Sequence, residues 1–272
     1  DTLGLLEKSK KNLKFSQSEI IQAEQDRNKM GISNDDKYVL IINRGQRFLD
    51  EEYPFDIDFN YHSFRNVSIN DFMPTAEALT KKNYFVIRMG QKVSDLMKTN
   101  NPKIIEYDEK GYRTELLDIF LSANCKYIIG SDTGFYAVAG WNFRKPMVVV
   151  NFSQLEWIEP WLSNWIFIFR KYWSISDKKF LTIEEILKSG AGRIVRTEDL
   201  KKKGLELTFN TPEEIQDVVE EMELKLEGKW SNTKEDDELQ SKFWSHFESS
   251  DLHGNFKGRI GTKFLRDNKT LL

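Results

Sequence analysis

The sequence predicts an α/β protein whose core is a Rossmann-like, doubly wound parallel sheet. The first observation is a set of apolar runs that hardly alternate with polar residues, as is typical of strands covered on both faces. These runs are YVLIINRG (38–45), YFVIRMG (84–90), KYIIGS (126–131) and KPMVVVNF (145–152), with KIIEYD (103–108) as the third strand along the chain. The second observation is that helix-like segments separate the runs, which implies right-handed crossovers and parallel strands.

The connecting segments carry their own helical signals. INDFMPTAEALTKKN (69–83) has helical spacing between the first two strands. RTELLDIFLSAN (113–124) has apolar residues at the helical period, and Thr114 is placed to cap it. FYAVAGWNF (135–143) predicts a short helix after the fourth strand. Strands and helices therefore alternate from residue 38 to residue 152.

The flanks of this core suggest three parts. Residues 1–37 predict a helical lead-in capped by Ser16 or Ser18, residues 38–228 the main domain, and residues 229–272 a helical and loop extension that packs on the body. Within the main domain, TPEE (211–214) predicts a helix start with a capping box. The aromatic-rich stretch 154–174 is expected to pack at the sheet edge, with an oligomer or membrane-surface contact as the alternative.

Composition excludes several classes of protein. The 272 residues are 39% hydrophobic and 13% aromatic, as expected of a folded globule, and a net charge of −3 does not favour nucleic acid. A single cysteine, Cys125, permits no internal disulfide, so we expect a reducing, cytoplasmic setting with this residue in the core. His62, His246 and His253 are too widely spaced for a zinc motif, and no apolar run approaches the about 20 residues of a membrane span.

Candidate functional residues follow the strands. Ligands of open parallel sheets bind beyond the carboxyl ends of the strands, so residues at these positions converge on one edge. The positions that we single out are Arg44 after the first strand, Arg88 after the second, Asp108 and Arg113 after the third, and Ser131, Asp132, Thr133 and Gly134 after the fourth.

This combination favours a phosphorylated ligand. A helix start after Gly134 would offer free N–H groups, and the glycine would let a ligand approach the backbone. Arg44 and Arg88 can each grip phosphate oxygens with a planar fork of donors. Neither GxGxxG nor GxxxxGK[ST] occurs, which disfavours a dinucleotide or a P-loop site.

Other interpretations of the same residues stay open. Ser131-Asp132-Thr133 can be an ordinary helix cap with no ligand. The two arginines can equally be paired with carboxylates at the edge of the core, such as Asp108 or Asp118.

Two long stretches resemble a bacterial family of glycosyltransferases of the GT-B type. They are YHSFRNVSINDFMPTAEALTKKNYFVIRMG (61–90) and YRTELLDIFLSANCKYIIGSDTGFYAVAGWNFRKPMVVVN (112–151), and the likeness continues into FNTPEEI and RIGTKFL. The turn SDTG is similar to that of heptosyltransferase-like and fucosyltransferase-like donor domains. The resemblance implies the C-terminal, donor-binding half of a GT-B fold, with a nucleotide sugar as substrate and a saccharide or other hydroxyl as acceptor.

The resemblance also implies roles for the candidate residues. Arg44, Arg88, Ser131, Asp132, Thr133 and Gly134 would bind the donor diphosphate, and Asp108 and Arg113 would contact the nucleoside. Because cationic side chains would stabilise the leaving group, we expect no metal ion and no cofactor. His62, on a polar loop after the first strand, is the best candidate for the base that deprotonates the acceptor.

The sequence departs from the family pattern at two points, which limits the roles that can be assigned by resemblance. Many relatives have Asp directly after the arginine of the first strand, where this chain has Gly45, and Asp50, Glu51 or Asp56 is a weak substitute. Residues 1–37 are also too short for the acceptor half, and would be a truncated or minimal remnant of it. A nucleotide-sugar epimerase of GT-B type and a binding module without activity of its own therefore remain alternatives to a transferase.

Overall fold

A computed structural model describes residues 1, 3–52, 58–247 and 256–272. Its strands are β1 (Lys37–Ile42), β2 (Tyr84–Arg88), β3 (Ile104–Glu106), β4 (Ile128–Gly130), β5 (Met147–Phe152), β6 (Trp165–Phe169), β7 (Tyr172–Ser174), β8 (Lys179–Phe180), β9 (Leu205–Leu207) and β10 (Arg259–Ile260). Its α-helices are α1 (Leu5–Lys8), α2 (Gln17–Lys29), α3 (Arg47–Glu52), α4 (Met73–Lys81), α5 (Glu115–Asn124), α6 (Ile183–Lys188), α7 (Thr197–Lys202), α8 (Pro212–Leu226), α9 (Lys234–Ser245) and α10 (Thr262–Asp267).

The predicted fold class is confirmed. Within the described residues the main sheet has seven strands in the order β10-β6-β5-β4-β1-β2-β3, and every pairing is parallel. Its first six strands follow the Rossmann order, in which the chain reverses direction across the sheet between β3 and β4. This reversal puts the carboxyl ends of β1 and β4 side by side, which is where such sheets bind ligands.

The helices cover the sheet as the sequence patterns indicate. The helix α4 packs on β2 and against α8, and α2 packs on α5. Leu117 N–H donates to the Thr114 side chain at 3.0 Å, and both Ser16 and Thr211 form capping boxes. Because backbone donors at these helix starts are satisfied by side chains, each helix begins where its capping residue predicts.

The aromatic-rich stretch differs from its prediction, because part of it enters the sheet instead of packing at its edge. Trp165–Phe169 forms β6, and all five side chains are buried. Beyond it, β10 adds a further strand from residues 259–260, and β7, β8 and β9 form a separate antiparallel sheet. Trp157 is the large aromatic of this stretch that stays exposed, at 51%. Core packing therefore accounts for most of its aromatic residues.

The short helix predicted for residues 135–143 is present, with an irregular geometry. Residues 136–137 are α-helical, Val138–Asn142 continue them as a π-helix, and no side chain caps this segment. Thr133 Oγ1 has no hydrogen-bond partner and Asp132 pairs with Arg65, so the interpretation of Ser131-Asp132-Thr133 as an ordinary helix cap does not hold. Any ligand at this turn must be held by side chains and loop backbone, because a turn this short has almost no helix dipole.

Candidate functional site

The loops after β1 and β4 are joined at the point where the strand order reverses. The backbone N–H of Arg44 donates to Ser131 Oγ at 2.8 Å, and the N–H of Ser131 donates to the Ile42 carbonyl at 3.1 Å. Ser131 is 1% exposed. Its role in this structure is therefore to fix the spacing of the two loops, because its hydroxyl already accepts a hydrogen bond from the protein.

A cavity of about 420 Å³ opens beyond these strand ends. Five of the predicted site residues line it: Arg44, Arg88, Arg113, Thr133 and Gly134. Lining residues that the sequence analysis missed include Phe48, Gln91, Lys92, Ser94 and Phe135. The convergence of strand ends was predictable, whereas these side chains come from loops whose course no sequence pattern fixes.

Arg44 and Arg88 are cations without carboxylate partners. Among the described residues, neither forms an ion pair within 4 Å, and the Nε of each has no hydrogen-bond partner. Arg88 is only 2% exposed, and its Nη1 donates to the Met89 carbonyl at 2.9 Å. Charged groups that are buried normally have a partner of opposite charge. The alternative in which Asp108 or Asp118 neutralises these two arginines does not hold for this structure.

Both arginines keep their charge at neutral pH. Burial lowers the pKa of Arg44 to about 10, an effect that the neighbouring Arg65 increases. Burial likewise lowers the pKa of Arg88 to about 10, and the negative charge of Glu106 acts in the opposite direction. The cavity therefore presents two protonated, partly unsatisfied guanidiniums, which is an environment suited to an anion.

His62 lies against Arg44. Its Nε2 contacts Arg44 Nη2, and a guanidinium can only donate, so the imidazole accepts through Nε2 and carries its proton on Nδ1. Burial lowers the pKa of His62 to about 4, with further lowering by Arg44 and Arg65. A neutral ring whose lone pair is occupied orients Arg44. The predicted role of His62 as a base would require this hydrogen bond to break.

The turn after β4 divides its four residues between binding and support. Thr133 Oγ1 is buried without a partner, and a side-chain carbon built on Gly134 would meet no atom within 4 Å, so open space lies above this turn. Asp132 forms an ion pair with Arg65 at 2.7 Å and does not line the cavity. Thr133 and Gly134 therefore face a ligand, and Asp132 holds the loop in place.

The two residues predicted to bind a nucleoside are not brought together. Arg113 lines the cavity and pairs with Asp118 at 2.8 Å. Asp108 lies outside the lining and accepts a hydrogen bond from the Lys92 backbone at 2.9 Å. Lys92 itself lines the cavity, so the contribution of Asp108 to the cavity wall is indirect.

The substitutes for the missing aspartate are engaged elsewhere or outside the described residues. Asp50 accepts from Gln46 at 3.0 Å, and Glu51 pairs with Arg47 at 2.5 Å. Asp56 and His253 lie outside the described residues. A carboxylic acid that the sequence analysis missed is Glu159, whose pKa burial and the charge of Asp132 raise to about 7. Its Oε2 accepts from the Tyr136 hydroxyl at 3.5 Å, beyond the cavity lining.

A solved structure resembles this chain. It is the crystal structure of a glycosyl transferase of family 9 from Veillonella parvula DSM 2008, with 14% sequence identity and a TM-score of 0.46. The match covers 80% of this chain and 55% of the other, so the chain spans about half the length of that protein. No family model and no curated protein matches the sequence.

The described part of the chain has neither a metal-binding cluster nor a membrane-spanning helix. No group of three or more His, Cys, Asp or Glu residues there is arranged to hold a metal ion. None of the helices in the same residues combines the length and the apolar character that crossing a bilayer requires.

The shielded imidazole of His62 predicts a specific dependence of stability on pH. Its pKa is about 4 when folded and 6.5 in the reference state, so the unfolded chain binds more protons between these values. The contribution of His62 to the free energy of unfolding is therefore fully present above pH 6.5 and is lost as the pH falls towards 4. We expect this loss to lower the free energy of unfolding by about 3 kcal/mol.

Urea unfolding at a series of pH values, compared between the wild type and His62→Gln, measures this contribution. Groups other than His62 titrate in both proteins, so they cancel when the free energy of unfolding of His62→Gln is subtracted from that of the wild type at each pH. A difference that stays constant from pH 7 to pH 4 would show that His62 titrates normally in the folded protein.

Proposed function

We propose that the chain binds a nucleotide sugar and transfers the sugar to a hydroxyl acceptor, as the donor-binding half of a metal-independent glycosyltransferase. The observation that carries the proposal is the pair formed by half-buried Arg44 and buried Arg88, which face a cavity at the strand reversal with no carboxylate within 4 Å among the described residues. Leaving a charge unpaired costs stability, so a ligand of opposite charge is the simplest reason for keeping both. The resemblance of the quoted stretches to GT-B glycosyltransferases supports the same assignment.

The arginines would act on the leaving group. As the bond between C1 of the sugar and the diphosphate oxygen breaks, its electron pair stays on the diphosphate, and the new bond forms between C1 and the acceptor oxygen. Arg44 and Arg88 donate to the diphosphate oxygens and stabilise the growing negative charge, and Thr133 Oγ1 offers a further donor. Two guanidiniums can supply the positive charge that a metal ion supplies in other transferases.

The proton of the acceptor hydroxyl must go to a base. His62 remains the predicted base, but its Nε2 has to leave Arg44 before it can accept a proton. Glu159, with a pKa raised to about 7, is a second candidate because a base works best when its pKa is near the working pH.

A binding module without activity of its own is the second candidate function. The observation that favours it is the occupied lone pair of His62, which cannot accept a proton while it contacts Arg44. In that case the nucleotide sugar would bind in the same cavity, and catalysis would need groups from elsewhere.

Ligand binding and product analysis test the proposal in sequence. Screening by thermal unfolding with UDP, GDP, ADP and CMP and their sugars should identify one nucleotide type that raises the melting temperature by about 5 °C at a hundredfold excess over Kd. The nucleotide sugar that binds is then incubated with a panel of hydroxyl acceptors. A glycosylated product should form at the same rate with EDTA as without it.

Results other than metal-independent transfer would favour one of the alternatives or refute the proposal. Binding without any product would favour the module, and release of free sugar without an acceptor would favour the epimerase. If no nucleotide or nucleotide sugar changes the melting temperature, the cavity is not a nucleotide site and the proposal is wrong.

A further inference from the structure

The amino-terminal end of the main sheet carries a second concentration of positive charge, opposite to the candidate site. Two adjoining cavities of about 470 and 580 Å³ lie there and share Lys11 and Arg144 in their walls. Residues just before β1, β4 and β5 form one wall, and the segment that follows α1 forms the other. We call the cations on these walls the amino-edge surface: Lys10, Lys11, Lys37, Lys126, Arg144 and Lys145.

These cations are not neutralised by nearby acids. In the described ranges, none of the six is within 4 Å of a carboxylate. The two acids on the same walls have other partners, because Glu7 pairs with Lys257 and Asp36 accepts from the Ser33 backbone at 2.8 Å. Burial lowers the pKa of Lys145, and the nearby Lys11 and Lys126 lower it further. The positive charges therefore repel one another and would be stabilised by an external anion.

The segment that carries Lys10 and Lys11 is attached to the sheet. Arg144 Nε donates to the Leu6 carbonyl at 2.7 Å, and its Nη2 donates to Ser9 Oγ at 3.2 Å. Further along, the ring of Phe15 contacts that of Phe120, with the ring centres 5.5 Å apart. The lysines of the segment are thus held beside the lysines of the sheet edge.

Exposed leucines accompany the charge. Leu3, Leu5 and Leu13 expose 66%, 55% and 55% of their surface, and they flank Lys8, Lys10, Lys11 and Lys14 in the same short segment. A soluble polyanion would use the lysines and leave the leucines in water. The interface of an anionic bilayer accommodates both, since headgroups attract the lysines and the acyl boundary takes up apolar side chains.

We propose that the amino-edge surface docks the protein on an anionic lipid bilayer, with the six cations at the headgroups and Leu3, Leu5 and Leu13 in the interface. This assignment does not depend on the proposed function, because it uses none of the residues of the candidate site. It places the cavity beyond β1 and β4 at the end of the sheet that faces away from the lipid.

Co-sedimentation with vesicles tests the assignment. Vesicles of phosphatidylcholine with about one quarter phosphatidylglycerol should bind the whole chain, and vesicles of phosphatidylcholine alone should not. The triple variant Lys11→Gln/Lys126→Gln/Lys145→Gln should bind about a hundredfold more weakly, because each lysine near an anionic surface contributes about fivefold. Raising the salt concentration should weaken the wild type in the same direction.

A matched control removes the same charge elsewhere. Lys110, Lys201 and Lys234 are exposed and lie outside the amino-edge surface, so their triple substitution by Gln should leave vesicle binding within about twofold of the wild type. Equal losses in the two triple variants would overturn the proposal, because only net charge would then matter. Equal binding of the wild type to both kinds of vesicle would also overturn it.

The leucines separate a bilayer from a soluble polyanion. Leu5→Ser/Leu13→Ser should weaken vesicle binding about tenfold, and the exposure of both side chains means that folding should be unaffected. Loss of binding in the lysine variant without loss in the leucine variant would overturn the choice of a lipid partner. Binding of a short single-stranded oligonucleotide more tightly than vesicles would overturn it as well.

Discussion

Replacing Arg88 by methionine should weaken nucleoside diphosphate binding about thirtyfold and leave the fold intact. A charge-assisted hydrogen bond to phosphate contributes about 2 kcal/mol, which corresponds to that change in Kd. Methionine keeps the apolar stem, and the guanidinium that it removes forms one hydrogen bond to the Met89 carbonyl. Because a buried charge without an ion-pair partner does not stabilise the folded state, the free energy of unfolding should change by less than about 1 kcal/mol.

Titration calorimetry for binding and urea unfolding for stability measure the two quantities separately. Arg47→Met is the matched control, since Arg47 is exposed, pairs with Glu51 and lies near the same loop. It should change the Kd less than about threefold, as expected for an exposed, screened charge. A large loss of stability in Arg88→Met with unchanged affinity would make Arg88 a structural residue and remove it from the site.

Replacing Arg170 by methionine should instead destabilise the fold by about 3 kcal/mol. Arg170 is 3% exposed, and its guanidinium donates to the carbonyls of Phe64, Leu207 and Thr208, the latter two at 2.8 and 3.3 Å. It also lies 3.9 Å from the ring centre of Phe209. Loss of this one group leaves three carbonyl oxygens without their donor, so the cost is that of buried unsatisfied acceptors.

Arg170→Met should also disturb the candidate site. Phe64 belongs to the turn Phe59–Arg65, which carries His62 and Arg65, so loss of the bond to Phe64 should shift these two side chains. We expect ligand affinity to fall severalfold along with the free energy of unfolding. Arg196→Met is the control, since Arg196 is exposed and lies 5.4 Å over the ring of Tyr61 in the same turn. It should cost less than about 1 kcal/mol. Equal costs for Arg170 and Arg196 in urea unfolding would contradict the argument from unsatisfied carbonyls.

The sheet was predictable because burial on two faces leaves a clear mark on a strand. Runs such as YVLII and MVVV can be stable only between two layers of helices, and helical segments of the right length lie between them. Parallel strands also put their carboxyl ends on one edge, so the meeting of Arg44 and Arg88 followed from the order of elements alone. Strand β10 was missed because two paired residues are too few to form a pattern.

The division of roles within the site was not predictable. From their positions in the sequence, Ser131, Asp132 and Thr133 were all predicted to bind the ligand. In the structure Asp132 forms an ion pair with Arg65, and Ser131 accepts a hydrogen bond from the Arg44 backbone. The contact between His62 and Arg44 depends on the turn Phe59–Arg65, which is held by Arg170, a residue directly after β6 and more than a hundred positions later in the chain. Such contacts join distant parts of the chain through single side chains, and no periodicity records them.

All strands of the main sheet are parallel. Their carboxyl ends therefore lie on the side of the arginine-lined cavity, and their amino ends lie on the side of the amino-edge surface. The residues that serve one end are therefore different from those that serve the other, and rigid strands separate them. Either end can change through mutation without a compensating change at its opposite. Substitutions among the lysines of the amino-edge surface should accordingly leave the geometry of the arginine-lined cavity unchanged.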